Sequence, residues 1–198
     1  MTPAAPVVVK LGGSLLADSQ RDRLHAWGAA LGGELAGRCI VVPGGGPFAD
    51  AVRDAQARWH FSGDAAHRMA LMAMNQCGMM LADLFPALVA EADESRLAPL
   101  CRRGVTPVWL PLQQLETSDA LPRDWHVTSD SIAAWLAHRL GTRAVLVKSC
   151  TVSTRDIDAL VAAGVVDAHL PELVRRTGVR ISVIGDDAPP SLAENDAR

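Results

Sequence analysis

Four short segments carry residue types suited to handling anions. Lys10-Leu11-Gly12-Gly13-Ser14 places a lysine just before two glycines. Adjacent glycines let backbone N–H groups approach an anion closely, because no Cβ intervenes, and the ammonium adds a mobile positive charge. Pro43-Gly44-Gly45-Gly46-Pro47 offers a second cradle ahead of a helical pattern, whose N-terminal dipole favours negative charge. Thr128-Ser129-Asp130-Ser131 opens another helical pattern, where Asp130 is either an N-cap or a charged member of a site. Val145-Leu146-Val147-Lys148-Ser149 ends an apolar run in a lysine. Each glycine segment alone reads better as a tight strand–helix turn. Together they suit two phosphate-bearing groups that meet.

The two lysines sharpen this reading. Only two of the nineteen basic residues are lysine, Lys10 and Lys148; the rest are arginine. A planar guanidinium fork does not reproduce a compact ammonium point charge, so a lysine kept in an arginine-rich chain points to a place where the difference matters. Both lysines stand at the ends of strand-like runs, beside glycine or serine. The chain has neither G-x-x-x-x-G-K-[ST] nor G-x-G-x-x-G, and it lacks the protein-kinase signatures, which disfavours a Walker nucleotidase or a Rossmann dehydrogenase.

These segments need elements to hold them. Pro6 to Leu11 is a buried-strand pattern, and Arg38 to Val42 a second one. Between them Leu24, Trp27, Ala30, Leu31 and Leu35 recur at helical spacing, with an N-cap expected at Asp18 or Ser19 and a stop at Gly37. Helices are expected near Phe48–Trp59 and Gly63–Leu84, strands over Val105–Leu110 and Ala144–Lys148, and a helix from about Ser131 to Leu140. A last helix and strand follow near Leu170–Arg176 and Val179–Ile184. Strands alternating with helices imply parallel pairing through right-handed crossovers, hence a three-layer α/β/α sandwich with a mainly parallel central sheet. Ligands in such sheets sit at the carboxyl ends of strands, where the four segments lie. One domain over 1–185 is expected, with a polar, Pro-rich flexible tail over 186–198.

Composition narrows the class. The 198 residues are 49% apolar and 21% charged, as in ordinary globular domains. A net charge of −3 and a pI near 6.0 argue against a nucleic-acid partner, which calls for a basic face. The four cysteines form no C-x-x-C pair and the histidines show no metal-ligand spacing, so neither a disulfide framework nor a metal site is expected. Met1 to Pro6 lacks signal-peptide character, and the most apolar helical stretch, Ala65 to Leu88, carries His67, Arg68, Asn75, Gln76 and Asp83. No membrane partner is expected, and a cytoplasmic location is. Met69, Met72, Met74, Met79 and Met80 suit a core or a subunit interface, Asn75 an interhelical contact, and Trp125 packing or the border of a pocket. Asp64 and His67 open the helical run from Gly63. There a carboxylate suits a substrate ammonium, or is merely a first-turn helix charge.

Val8-Val9-Lys10-Leu11-Gly12-Gly13-Ser14 followed by Val41-Val42-Pro43-Gly44-Gly45-Gly46 resembles the amino acid kinase superfamily, from Val7 to about Ile184. That superfamily includes acetylglutamate, aspartate and glutamate kinases, bacterial UMP kinase and isopentenyl phosphate kinase. The runs Val127 to Ala134 and Leu146 to Ser149 resemble its UMP-kinase side. Ser62 to Leu71, with the short chain, is most similar to the small methanofuran-pathway type, which phosphorylates an aminomethylfuran methyl phosphate to the diphosphate. The resemblance implies an ATP-dependent kinase with a small-molecule acceptor, with Mg²⁺ held mainly through phosphates, and a homo-oligomer. It implies Lys10, Asp130 and Lys148 as catalytic residues, and Lys10, Gly12, Gly13, Ser14, Lys148 and Ser149 at the nucleotide phosphates. It implies Gly44, Gly45, Gly46, Asp64, His67, Thr128 and Ser129 at the acceptor. Ser149 to Asp156 lacks the Asp-Gly that many members carry, so no adenine contacts are assigned. Val165 to His169 lacks the lysine of some amino-acid-specific members, which disfavours acetylglutamate or aspartate. Alternatives are a kinase for another small phosphate or carboxylate (UMP, isopentenyl phosphate, an amino acid), or a non-catalytic binding protein on the same scaffold.

Overall fold

The computed structural model describes residues 5–186, 190 and 192, so most of the expected tail lies outside the described residues. Six strands form one parallel sheet: β1 (Val7–Leu11), β2 (Cys39–Pro43), β3 (Leu88–Glu91), β4 (Thr106–Trp109), β5 (Ala144–Val147) and β6 (Ile181–Ile184). Their order is β3-β4-β2-β1-β5-β6. The chain builds outward from β1 on one side and then crosses to β5 on the other, so β1 is a topological switch point. In register, Lys10 lies between Val42 and Leu146. The loops leaving β1, β2 and β5 therefore open side by side.

Among the described residues, eight helices complete the layers: α1 (Arg21–Gly32), α2 (Gly46–Trp59), α3 (Gly63–Leu84), α4 (Glu94–Arg102), α5 (Leu112–Leu115), α6 (Ser129–Arg139), α7 (Ile157–Ala162) and α8 (Leu170–Thr177). The two-residue alternation of β1 sorts its side chains between two cores. Val9 and Leu11 pack with Leu24, Trp27 and Leu31 of α1. Val8 faces the other way, with Ile132, Ala133 and Leu136 of α6, Leu97 of α4 and Leu173 of α8. Lys10 shares the α6 side with Val8, and that is what makes a lysine in mid-sheet consequential. In α6, residues 129–137 are all buried, so this helix is a core element whose first turn is polar by necessity of something other than solvation.

The expected elements need several corrections. Two short 3-10 turns, Gly13–Leu16 and Asp18–Gln20, precede α1, so Asp18 and Ser19 do not cap it. The helix ends at Gly32 rather than Gly37, because the backbone leaves helical geometry at its C-cap Gly33, with φ −111° and ψ −107°. The α3 range is as expected: the Ser62 hydroxyl accepts the Ala65 N–H at 3.2 Å as an N-cap. β3, α4, α5 and α7 were not expected. No described helix is long and apolar enough to cross a membrane.

Candidate active site

Lys10, Asp130 and Lys148 meet in the interior. Lys148 Nζ donates to both oxygens of Asp130, at 2.7 and 2.6 Å, and Lys10 Nζ lies 3.0 Å from Oδ1. Their side chains are only 4–9% exposed. Burial pushes the Asp130 carboxyl up, but the two ammonium groups outweigh it and hold the group below the ordinary carboxylate range. Burial and the neighbouring Lys10 charge pull Lys148 down to about 8, against the support of Asp130. One carboxylate between two ammonium groups leaves a net positive charge in a nearly dry place. Such a cluster is completed by an anion.

The cluster opens into a cavity of about 350 Å³. Gly13, Ser14, Gly45, Gly46, His67, Thr128 and Ser129 line it with Lys10, Asp130 and Lys148. The two glycine loops are pressed together. A Cβ at Gly13 would stand 2.7 Å from the Gly46 Cα, and one at Gly44 would stand 2.8 Å from the Gly13 Cα. Gly13 and Gly44 are thus glycines because backbone meets backbone there. Gly12 differs. A Cβ on it would lie 3.0 Å from the Val147 carbonyl oxygen, 3.4 Å from Lys10 Nζ and 3.6 Å from Ser14 Oγ, a tight position beside the ammonium and the hydroxyl, and Gly12 does not line the cavity itself. Gly46 starts α2 at φ +50°, a left-handed conformation that glycine permits. No side chain caps that helix. Ser149 donates its hydroxyl to that of Ser14 at 2.6 Å, joining the loops after β5 and β1, although Ser149 does not line the cavity itself.

Asp64 is a correction. It does not line the cavity; its exposed carboxylate pairs with Arg123 at 2.9 Å, which lowers its pKa. A carboxylate held by a guanidinium outside the cavity is not placed to read a substrate ammonium. His67 does line the cavity. Burial, and then Arg123, lower its pKa from 6.5, so it is a neutral imidazole at pH 7 and offers a hydrogen bond rather than a charge. Trp125 also borders the cavity, with the Arg53 guanidinium 4.3 Å from its ring centroid and its Nε1–H donated to Gln56 at 2.7 Å. Asn75 links helices as expected, its Oδ1 accepting the Leu112 N–H of α5 at 3.2 Å. Met74 is core, whereas Met69, Met72 and Met79 are 37–60% exposed.

Sequence reasoning missed Asp50, Arg53 and Asp167, all at the cavity. Only Asp167 had a local signal, a carboxylate just ahead of α8 whose Oδ1 accepts the Leu170 N–H at 3.0 Å. The thiols of Cys39 and Cys77 are pushed up to about 12 by burial, and that of Cys101 to about 11, so these three are unreactive core groups.

A model of the amino acid kinase family matches residues 5–149, which include both glycine loops and all three charged residues. The chain belongs to the amino acid kinase family. It is 28% identical over 148 residues to the [5-(aminomethyl)furan-3-yl]methyl phosphate kinase of Methanocaldococcus jannaschii, a match covering 71% of this chain and 63% of that protein. Among solved structures it resembles uridylate kinase from Archaeoglobus fulgidus at TM-score 0.62 and 20% identity, covering 90% of each chain. It also resembles an isopentenyl phosphate kinase at TM-score 0.57 and 17% identity, covering 92% of each. These structural likenesses show that the sheet and its helices are the amino acid kinase fold.

Proposed function

We propose that this amino acid kinase family member is an ATP-dependent phosphotransferase acting on a small-molecule phosphate. The observation that carries the reading is the buried, net-positive Lys10–Asp130–Lys148 cluster opening onto a cavity walled by two glycine loops. An aminomethylfuran methyl phosphate, converted to its diphosphate, is the acceptor favoured by the likeness to the Methanocaldococcus jannaschii enzyme. One domain over 1–185, in a cytoplasmic homo-oligomer with no nucleic-acid or membrane partner, completes the reading.

Mg-ATP supplies the transferable phosphoryl group with part of its charge already neutralised. Lys10, Gly13 and Ser14 line the cavity together, which supports a phosphate beside them. Lys10, Gly12, Gly13, Ser14 and Ser149 hold the nucleotide phosphates in this reading. Gly45, Gly46, His67, Thr128 and Ser129 hold the acceptor, with Gly44 letting the two loops touch. Asp130 is already shared by two ammonium groups, which supports Mg²⁺ being held mainly through phosphate oxygens. A phosphate oxygen of the acceptor forms the new P–O bond while the bridge to the departing diphosphate breaks, and the electron pair leaves with ADP. Lys10 steadies the phosphoryl group in transit and Lys148 the leaving oxygen, through charge already in place. An acceptor phosphate arrives ionised, so no strong general base is needed.

A panel of acceptors with labelled ATP tests this. Efficient transfer to the aminomethylfuran phosphate is expected, with Lys10→Arg lowering kcat about a hundredfold, roughly 3 kcal/mol of transition-state stabilisation. Efficient transfer to UMP, isopentenyl phosphate or an amino acid, but not to the furan, overturns the acceptor. Nucleotide binding with no ADP release for any acceptor overturns phosphotransfer itself.

A further inference from the structure

Asp167, in the loop between α7 and α8, accepts five hydrogen bonds. Its Oδ2 takes the Thr128 N–H at 2.8 Å, the Thr128 hydroxyl at 3.0 Å and the Ser131 N–H at 2.9 Å. Its Oδ1 takes the Ser131 hydroxyl at 2.6 Å and the Leu170 N–H at 3.0 Å. Three of these donors are backbone N–H groups that cannot reverse role, two on one oxygen and one on the other. Backbone N–H donors on both oxygens favour the ionised carboxylate. Burial, and then the Asp130 charge, push the Asp167 carboxyl up, and the bonds from Ser131 and Thr128 oppose them.

Thr128 is the N-cap residue of α6, yet it makes no side-chain cap to its own helix. Threonine is a competent local cap, so turning its hydroxyl to Asp167 hands the task to a distant residue. The capped turn is the one that carries Asp130, flanked on both sides by residues that Asp167 grips. The Ser131 side chain is wholly buried, which leaves this turn little freedom to shift on its own. We infer that Asp167 is a positioning residue of the phosphoryl-transfer site: its carboxylate sets the first turn of α6 so that Asp130 reaches both lysine ammonium groups. This rests on the phosphotransferase reading for its role in turnover, but its structural half can be tested without turnover.

The chain has only two lysines, so lysine labelled at Cε and Nζ gives two side-chain resonances, assigned with Lys10→Arg and Lys148→Arg. The intact protein is compared with Asp167→Asn and with Asp158→Asn, a control that removes an exposed 3.5 Å pair with Arg175 on the same α8. In folded Asp167→Asn both lysine signals are expected to move. The Lys148 titration should fall by about half a unit or more, because displacing Asp130 removes what holds that proton. Asp158→Asn should leave both signals in place. In turnover, kcat is expected to drop about a hundredfold, with the KM for ATP changed less than about threefold. Should Asp167→Asn fail to fold, Ser131→Ala removes one arm of the clamp and should shift the signals the same way by less. Unmoved lysine signals in the folded variant, with only its melting temperature lowered, make Asp167 a structural staple and overturn the inference. If the wild type phosphorylates no acceptor, the phosphotransferase reading fails, while the lysine signals still decide whether Asp167 positions Asp130.

Discussion

Replacing Asp130 by asparagine preserves the outline of the side chain and removes the charge that two ammonium groups share. At an effective dielectric of about 20, a pair of unit charges 3 Å apart interacts by roughly 5 kcal/mol, and losing one partner of a buried pair costs about 3–5 kcal/mol after relaxation. Taking about 3 kcal/mol as the support lost by Lys148 converts to roughly two pKa units. The group that titrates near 8 in the native site then titrates near ~6 in the variant. At pH 7 it passes from about nine-tenths charged to about nine-tenths neutral. That change alone removes roughly tenfold of its service to the leaving group, and the lost alignment of Lys10 takes kcat down by about 100- to 1,000-fold in all. Stability follows with a definite sign. The folded-state value of Lys148 is depressed below that of the unfolded chain, so its buried charge destabilises at low pH and the penalty eases as the proton leaves. The variant therefore shows its full deficit below about pH 6, roughly 2.7 kcal/mol or ~7 °C for 198 residues, and almost none from Lys148 above about pH 8. Thermal melts at pH 5, 7 and 9, with kcat at each, test both halves. A deficit that stays constant with pH, or turnover within threefold of wild type, refutes the reasoning.

Three further outcomes are expected. The kcat/KM for ATP should fall above about pH 8, as Lys148 in the free enzyme loses its proton; a profile flat to pH 10 removes that ammonium from the rate. Gly44→Ala forces backbone apart at the Gly13 contact and should lower stability by about 2–3 kcal/mol in urea unfolding while raising the KM for both substrates; an unchanged midpoint contradicts the loop-on-loop packing. Asp64→Asn should leave the acceptor KM within about twofold, because its exposed carboxylate faces Arg123 outside the cavity, and a tenfold rise would restore Asp64 to the acceptor site.

Much of the fold was legible because β1, β2 and β5 are buried on both faces and read as apolar runs, broken only by Lys10 in β1. β3 escaped for the opposite reason. It is a four-residue edge strand with Leu88 buried and Val89 42% exposed, and it follows directly on the apolar end of α3. α4 was hidden by Pro99, which reads as a breaker although the helix continues past it. The mistaken stop of α1 came from Leu35, which keeps the helical spacing and is buried, yet lies in the turn after Gly33. Periodicity records that a side chain is buried; it does not record which backbone carries it there.

The site divides along the same line. Lys10 and Lys148 stood out in the sequence because strand ends of a parallel sheet converge and because lysine is scarce in this chain. Asp130 stood out because a carboxylate in a helix's first turn invites a function beside its capping role. That cue is not specific, and Asp64 presents the same one at the start of α3. What separates the two carboxylates is their partners: two buried ammonium groups for one, an exposed guanidinium for the other. Each partner lies at least eighteen residues away, and no local pattern encodes it. Asp167 shows the converse. Its local pattern is a carboxylate accepting the first N–H of α8, and its bonds to Thr128 and Ser131 exist only once β5, β6 and the helices between them have folded back onto α6. A first-turn carboxylate thus becomes a site residue when the fold supplies it with charge in a dry place, and a surface group when the fold does not.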